Sequence, residues 1–456
     1  MKHIFRLYSH SRILLLLTGE LSIILASFIL AIVISFGTGA GLVIWGSLWK
    51  IITVAMLMLL CAYYMELYDY RSLAVSRGTY VVILKLIGIV AFILALVTFV
   101  YPTLLVGKDT LLLGLFVLTP IWLLWRTAGE RLILHSALRK RIHIIGDGEL
   151  ASRVVNVIET RHDLGMEIAG WERHVSNPQV VQESLARIVR DLGTSHSVDR
   201  VIVALQDRRC TMPVKELLDL RLRGVRVEDA TTVLEGVSGK IEIDELRPSW
   251  LIFGDGFRLR PKHQLARRVV SMFASLTLTL LTIPIVPLVA ILIRLTSPGP
   301  VLYRQKRVGR GGRVFNCYKF RTMRFNAEAD TGPTWARDND PRITTLGRFL
   351  RKSRLDEIPQ LWNVLKGDMA FVGPRPERPE FVEQLSQVIP YYGVRHATLP
   401  GITGWAQVSY KYGNTIEDAK EKLRYDLYYI KNWSPALDFW IMLKTVRTVL
   451  FGQGAQ

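Results

Sequence analysis

The chain is poor in cysteine and, over one long stretch, has no acidic residue at all. Three cysteines, Cys61, Cys210 and Cys317, stand among 456 residues, and none sits at a metal-ligand spacing from another. A disulfide-stapled scaffold and a cysteine-based zinc site are thereby excluded, and reduced cytosolic thiols become the default. Asp and Glu total 39 against 58 Lys and Arg, a formal charge of +19, and residues 256–327 contain neither acid. So one-sided a charge calls for an anionic partner, whether nucleic acid, anionic lipid or a phosphorylated substrate. Apolar residues are plentiful, at 50% of the chain. That share excludes a disordered chain and points to a membrane component. At roughly 150 residues per domain, the length suggests about three units.

Four long apolar runs fill residues 13–36, 42–67, 80–102 and 111–125. A spanning helix needs about 20 apolar residues, which three of them meet easily. The fourth is shorter, and Thr119-Pro120 can kink it. Lys2, Arg6 and Arg12 precede the first run, and Arg71 and Arg77 separate the second from the third. Arg126, Arg131, Arg139, Lys140 and Arg141 follow the fourth, whereas the other two connections have only Lys50 and Lys108 nearby. The positive-inside bias then puts both ends of this four-helix unit in the cytoplasm. Run one is too long for a signal peptide and lacks a small-residue cleavage site. Charges inside the runs are few, which gives a channel or transporter path little support.

A fifth apolar stretch, about 269–295, has basic flanks on both sides. Arg258, Arg260, Lys262, Arg267 and Arg268 come before it; Arg294, Arg304, Lys306, Arg307, Arg310 and Arg313 end or follow it. A single crossing cannot keep both flanks cytoplasmic. Pro284 and Pro287 lie near its middle, where proline breaks the helical ladder. The reading is a re-entrant helix-break-helix. The alternative, a proline-kinked span, would place everything after Ser297 outside the cell.

Between the membrane segments, Ile142-His143-Ile144-Ile145 reads as a buried strand. Gly146-Asp147-Gly148-Glu149-Leu150-Ala151 follows it and opens a helical pattern, with Glu172 about 20 residues on. This is the context of a dinucleotide fingerprint and predicts a Rossmann-like α/β domain. Asp147 and Glu149 would face a pyrophosphate with two carboxylates, and no Tyr-x-x-x-Lys pair follows. A structural or regulatory domain is therefore preferred to a cofactor site. A membrane-anchored NAD(P)-dependent sugar-nucleotide oxidoreductase or epimerase stays open as the alternative function.

The chemistry is concentrated after the fifth stretch. Four short sequences stand out: Tyr318-Lys319-Phe320-Arg321-Thr322-Met323; RKSRLDEIPQLWNVLKGDM over residues 351–369; Val372-Gly373-Pro374-Arg375-Pro376; and PGITGWAQV from Pro400. Asp356 and Glu357 open a helical pattern, and carboxylates there can simply complement the helix N-terminus. Arg351, Lys352 and Arg354 precede them closely. Cations so near are expected to keep a carboxylate ionised and lower its pKa. An ionised Asp can act as a nucleophile, and two carboxylates suit Mg²⁺ beside phosphate oxygens. Lys319, Arg321, Arg351 and Arg375 supply fixed positive charge, with Arg375 stiffened between two prolines. The Gly401 to Gly404 turn offers backbone N–H groups as an anion nest. A solvated basic face, or one lying on anionic lipid, is the plainer account of the same charge. No nucleic-acid motif appears.

These motifs, in this order and spacing, resemble the bacterial sugar transferase family, the monotopic polyprenyl-phosphate phosphoglycosyl transferases, from about residue 260 to 452. The N-terminal half resembles the long members of exopolysaccharide initiation systems, and residues 410–433 look most like the exosortase-associated branch. The resemblance implies a membrane protein with four transmembrane helices (1–140), a Rossmann-like α/β domain (141–256) and a mostly α catalytic domain (257–456) with a re-entrant membrane helix. It further implies transfer of a phospho-sugar from a nucleotide diphospho-sugar, UDP being favoured, to polyprenyl phosphate, with UMP released. In it Asp356 is the nucleophile, Glu357 assists the metal or the lipid phosphate, and Mg²⁺, held by the two, neutralises the leaving nucleotide. Lys319, Arg321, Arg351 and Arg375 match basic positions near the phosphates, Pro284 matches the helix break, and Asp426, Tyr428 and Tyr429 match a further motif. The implied location is the bacterial inner membrane, multi-pass, with the active site facing the cytoplasm; a homo-oligomer is left open. Ile283, Arg354 and Leu399 depart from the pattern, which usually has Ser, Ser and a basic residue there. The pattern of Trp433, Leu437, Phe439, Trp440 and Leu443 reads equally as an interfacial helix or as a core-facing one.

Overall fold

The computed structural model describes residues 10–68, 77–101, 107–134, 139–161, 164–173, 179, 183, 198–205, 214–244, 256–257, 261–325, 327, 340–410, 413 and 415–450. Lys2, Arg6, Arg71, Cys210, Arg258 and Arg260, used above, lie outside them. The chain divides into two compact units, residues 5–237 and 238–456.

In the first unit each expected apolar run forms a helix: α1 (His10–Phe36), α2 (Ala40–Tyr64), α3 (Arg77–Val100) and α4 (Lys108–Leu134). Among the described residues four stretches are long and apolar enough to cross a membrane: Leu15–Tyr64, Tyr80–Val100, Lys108–Gly129 and, in the other unit, Pro261–Thr282. Helix α4 continues through Pro120, and Leu118 and Trp122 around it are fully buried. Leu42, Phe99 and Phe116 are highly exposed while Ile24, Met58 and Leu86 are buried, so the surface is as apolar as the core. That is how helices surrounded by lipid pack. One buried charge pair interrupts the apolar interior. Arg126 Nε lies 2.6 Å from Glu20 Oε1, both side chains being almost wholly enclosed. Trp122 Nε1 donates to the same oxygen at 3.0 Å, and Tyr68 donates to the other.

The same unit holds β1 (Lys140–Ile145), α5 (Gly148–Thr160), β2 (Met166–Glu172), β3 (Arg200–Val203), α6 (Val214–Leu222), β4 (Arg226–Asp229) and α7 (Ala230–Ser238). The strands pair in parallel in the order β2-β1-β3-β4. Parallel strands need crossovers and cover on their faces, hence the burial of residues 142–145 of β1 and of all of β3. Leu150, Ala151, Val154 and Ile158 of α5 pack on Ile142 and Ile144.

The second unit begins at Ser238, ahead of the boundary at 257 read from the sequence, because Ile241 and Ile243 are buried with Leu423 and Leu427. Its elements are α8 (Pro261–Thr282), α9 (Ile285–Thr296), β5 (Leu302–Val308), β6 (Val314–Phe320), α10 (Thr345–Lys352), α11 (Gln360–Lys366), β7 (Ala370–Val372), α12 (Pro379–Val388), β8 (Gly401–Thr403), α13 (Trp405–Ser409), α14 (Ile416–Lys431) and α15 (Pro435–Leu450). Strands β5 and β6 form an antiparallel hairpin, and β7 and β8 pair in parallel.

The fifth apolar stretch is two helices with a break at Ile283-Pro284. Pro284 stands at the N-cap of α9 and Pro287 in its first turn, where a missing N–H costs nothing. Leu265, Val269, Phe273, Leu276 and Leu280 of α8 are exposed, whereas Arg267, Ser271 and Ser275 are buried. The buried face is bolted to the rest of the unit. Arg267 donates to Val372 O at 2.6 Å and to Leu399 O at 3.0 Å, Arg268 to Leu365 O at 2.8 Å, and Ser271 Oγ accepts from Phe371 N at 3.1 Å. In α15, Leu437 and Ile441 belong to the core, while Phe439 and Trp440 are exposed.

Candidate active site

Asp356 and Glu357 sit in a single 3-10 turn, Leu355–Glu357, between α10 and α11. Arg354 enters it with a left-handed backbone, φ 58°, a conformation rarely adopted by residues other than Gly, Asn or Asp. The turn is anchored by its apolar neighbours. Leu355 and Ile358 pack on the cluster of Val289 and Ile293 from α9, Phe320 and Leu350. The acidic pair therefore sits directly beside α9.

Both carboxylates are buried, yet their surroundings push them in opposite directions. Burial opposes ionisation of Glu357, but Arg375, then Lys319 and Arg354, outweigh it and hold it well below the usual carboxylate range. Arg375 Nη2 and Lys319 Nζ each lie 2.8 Å from Glu357 Oε1, and Arg354 Nη1 lies 3.6 Å from Oε2. Asp356 moves the other way. Burial raises its pKa, the neighbouring Glu357 charge adds to that, and Lys319, Arg351 and Arg375 offset it only partly. The expectation that nearby cations would lower the Asp356 pKa is thus corrected: burial outweighs them, and of the three cations preceding the pair Arg354 turns to Glu357 instead. Asp356 Oδ1 is buried with no hydrogen-bond partner among the described residues.

The positions of the basic residues follow from local structure. Lys319 is next to last in β6. Asn363 of α11, fully buried, pairs with that strand's edge: its Oδ1 accepts from Tyr318 N at 3.1 Å and its Nδ2 donates to Asn316 O at 2.7 Å. Arg351, in the last turn of α10, donates through Nε to Thr322 Oγ1 at 2.9 Å. Thr344 caps α10 by accepting from Gly347 N at 2.9 Å.

Arg321 is not brought to the acidic pair. Its guanidinium donates to Ser297 O and Pro298 O, both at 2.7 Å, and so caps the chain leaving α9. The expected nest at Gly401 is also closed, since Gly401 N donates to Pro374 O at 2.9 Å. A Cβ at Gly401 would strike Gly373 N, and one at Gly404 would strike Gly373 O. Both glycines permit close approach of backbones that carry Arg375. Asp426, Tyr428 and Tyr429 lie in α14 inside the core, Tyr429 donating to Asp438 Oδ1 at 2.8 Å. Arg354 and Asn363 are the contributors that motif reading missed. Arg354 is read from the sequence as a nearby cation and a departure from the pattern, not as a partner of Glu357, and Asn363 lies unremarked inside the second motif.

A hard cation would meet two unlike carboxylates here. Both oxygens of Glu357 face cations, which leaves it a poor metal ligand, whereas the unpartnered Asp356 Oδ1 suits one. A separate cleft of about 410 Å³, lined by His263, Arg267, Arg268, Leu399, Lys431 and Trp433 among others, opens at the opposite end of α11. Leu399, a departure from the family pattern, therefore lines that cleft. In the first unit the carboxylates of Asp147 and Glu149 are exposed at the start of α5.

Residues 262–452 match the family described as bacterial sugar transferase. Three relatives show the range of similarity. A UDP-N-acetylgalactosamine-undecaprenyl-phosphate N-acetylgalactosaminephosphotransferase of Aeromonas hydrophila is 43% identical over 49% of this chain and 52% of its own length. A UDP-glucose:undecaprenyl-phosphate glucose-1-phosphate transferase of Escherichia coli is 32% identical over 68% of each chain. The protein of that name in Klebsiella pneumoniae is 41% identical over 68% of this chain and 67% of its own length. The chain thus spans about half of the first relative and about two thirds of the other two.

Proposed function

Because the chain belongs to the bacterial sugar transferase family, we propose that it transfers a sugar 1-phosphate from a UDP-sugar to polyprenyl phosphate and releases UMP. The observation that carries this reading is the asymmetry of the acidic pair. One buried carboxylate is paired with three cations, while its neighbour keeps an unpartnered oxygen beside a basic cluster.

In the proposed first half-reaction, the Asp356 carboxylate attacks the sugar-linked phosphorus. A phosphoryl-sugar aspartate forms, and the P–O bond to the nucleotide breaks with its electron pair leaving on UMP. In the second half-reaction a phosphate oxygen of the lipid attacks the same phosphorus and the carboxylate departs, giving polyprenyl-diphospho-sugar. A carboxyl kept short of ordinary acidity by burial is a more basic and better attacking group once ionised. Glu357 keeps Lys319 and Arg375 oriented at the site, so their charge is in place before the phosphates arrive. Mg²⁺, where bound, would be held by Asp356 and the diphosphate oxygens and would neutralise the leaving nucleotide.

The membrane geometry supports the same reading. The apolar part of α8, residues 269–282, spans about 21 Å and α9 about 18 Å at 1.5 Å per residue. Helix α8 as a whole is long enough to cross a hydrocarbon core of about 30 Å, but its first turns carry Lys262, Arg267 and Arg268, and α9 is too short to cross. With a break between them and basic flanks on both sides, a re-entrant hairpin brings the acidic pair to the cytoplasmic membrane surface, where a soluble nucleotide sugar and a lipid phosphate can meet. The parallel sheet β2-β1-β3-β4 we read as a Rossmann-like domain without a dinucleotide role, given its two exposed carboxylates. Purified protein supplied with UDP-sugars, polyprenyl phosphate and Mg²⁺ should release UMP and form a lipid-linked sugar. Absence of both with every donor would refute the assignment.

A further inference from the structure

Behind the site lies a buried charge pair with no part in the chemistry above. Arg395 stands in the 3-10 turn Tyr392–Ala397, and Asp426 on α14 is 1% exposed. Arg395 Nη2 lies 2.8 Å from Asp426 Oδ2 and donates to Arg375 O at 2.9 Å, while its Nη1 donates to Tyr392 Oη at 2.6 Å. A buried ion pair adds little net stability and is better explained by the geometry it enforces.

That geometry is the placement of Arg375. Pro374 and Pro376 have no N–H, so this stretch is held by its carbonyls. Pro374 O accepts from Gly401 N, Pro376 O from Arg307 Nη1 and Glu377 O from Val308 N, each at 2.9 Å. Arg375 O is the remaining one, and its donor is the Arg395 side chain. We infer that Arg395, clamped by Asp426 and Tyr392, is a positioning residue that fixes Arg375 on Glu357 through the Arg375 main chain. The Asp426 carboxyl, pushed up to about 6 by burial with Arg395 opposing, marks how enclosed the clamp is. This gives Asp426, whose motif the catalytic reading did not use, a defined role, and the inference rests on that catalytic reading.

The test is a double-mutant cycle on the full-length protein, read as kcat for UMP release. Replacing both members by apolar residues, Arg395→Met with Asp426→Leu, avoids leaving an orphan charge, so the melting midpoint should fall only modestly, through the lost donor to the Arg375 carbonyl. The expected loss in kcat is about 100-fold, the scale of a 1 Å misplacement. In an Arg375→Gln background the same replacement should cost less than about threefold, because its target is already gone. A full loss in both backgrounds, or no loss in either, would overturn the inference. If the double variant fails to fold, Tyr392→Phe loosens one tether and must show the same dependence on Arg375. A wild-type protein releasing no UMP would instead sink the catalytic reading.

Discussion

Arg375 reaches Glu357 Oε1 at 2.8 Å, and it does so from a proline-flanked segment 18 residues further along the chain. The contact makes Glu357 the electrostatic centre of the site, since Lys319 closes on the same oxygen. Removing that charge while leaving the cations should be costly. Glu357→Gln is expected to lose about 3–5 kcal/mol of stability, read as a lower melting midpoint in detergent. The folded pKa lies below the unfolded one, so this contribution is complete above the unfolded value and disappears only as pH falls through the depressed one. Acidification from pH 8 to 6 should therefore leave it intact.

Asp356 should behave in the opposite sense. Its folded pKa is raised, so the ionised form costs stability at every pH above the unfolded value. Asp356→Asn is expected to abolish turnover while gaining about 0.5–2 kcal/mol, as relief of a strained functional site does. The wild-type kcat/KM should fall on the acid side with an apparent pKa above 3.8, the ordinary Asp value. An unchanged or lower melting midpoint in the variant would contradict this account of the site.

Arg321 separates a scaffold role from a substrate role. Its two bonds to the end of α9 predict that Arg321→Ala destabilises the protein by about 1–3 kcal/mol through two orphaned carbonyls. KM for the nucleotide sugar should stay within about twofold in steady-state kinetics. A tenfold rise in KM without loss of stability would return Arg321 to the phosphates.

Glu20 and Arg126 make the analogous case in the four-helix unit. Glu20→Gln should leave Arg126 buried without a counter-charge and cost about 3–5 kcal/mol. Thermal unfolding in detergent should show this, and replacing the pair together by Leu and Met should recover most of the loss. Equal destabilisation by the single and double variants would argue against a direct pairing.

Much of this was legible beforehand because it lies in local sequence. The apolar runs become helices, Pro284 stands at the break, and Asp356, Glu357, Lys319 and Arg375 from three separate motifs meet in one place. Illegible parts depend on direction. Counting cations near Asp356 could not show that Arg354 points at Glu357 and Arg351 at Thr322. Arg321 looked like a phosphate ligand because its acceptors are main-chain carbonyls more than 20 residues upstream, invisible to a motif. Arg354 was visible as one nearby cation among three, but not the left-handed backbone at its position or its pairing with Glu357. Hydropathy sees Glu20 and Arg126 only as two isolated blemishes in different helices.

Peptide mass spectrometry after a brief exposure to UDP-sugar, with no polyprenyl phosphate present, tests the central claim most directly. The account predicts one equivalent of UMP released at once and a phospho-sugar adduct on the peptide containing Asp356, lost when the lipid is added. UMP appearing only with the lipid, and no adduct at any time, would show that transfer is direct and that Asp356 is not the nucleophile.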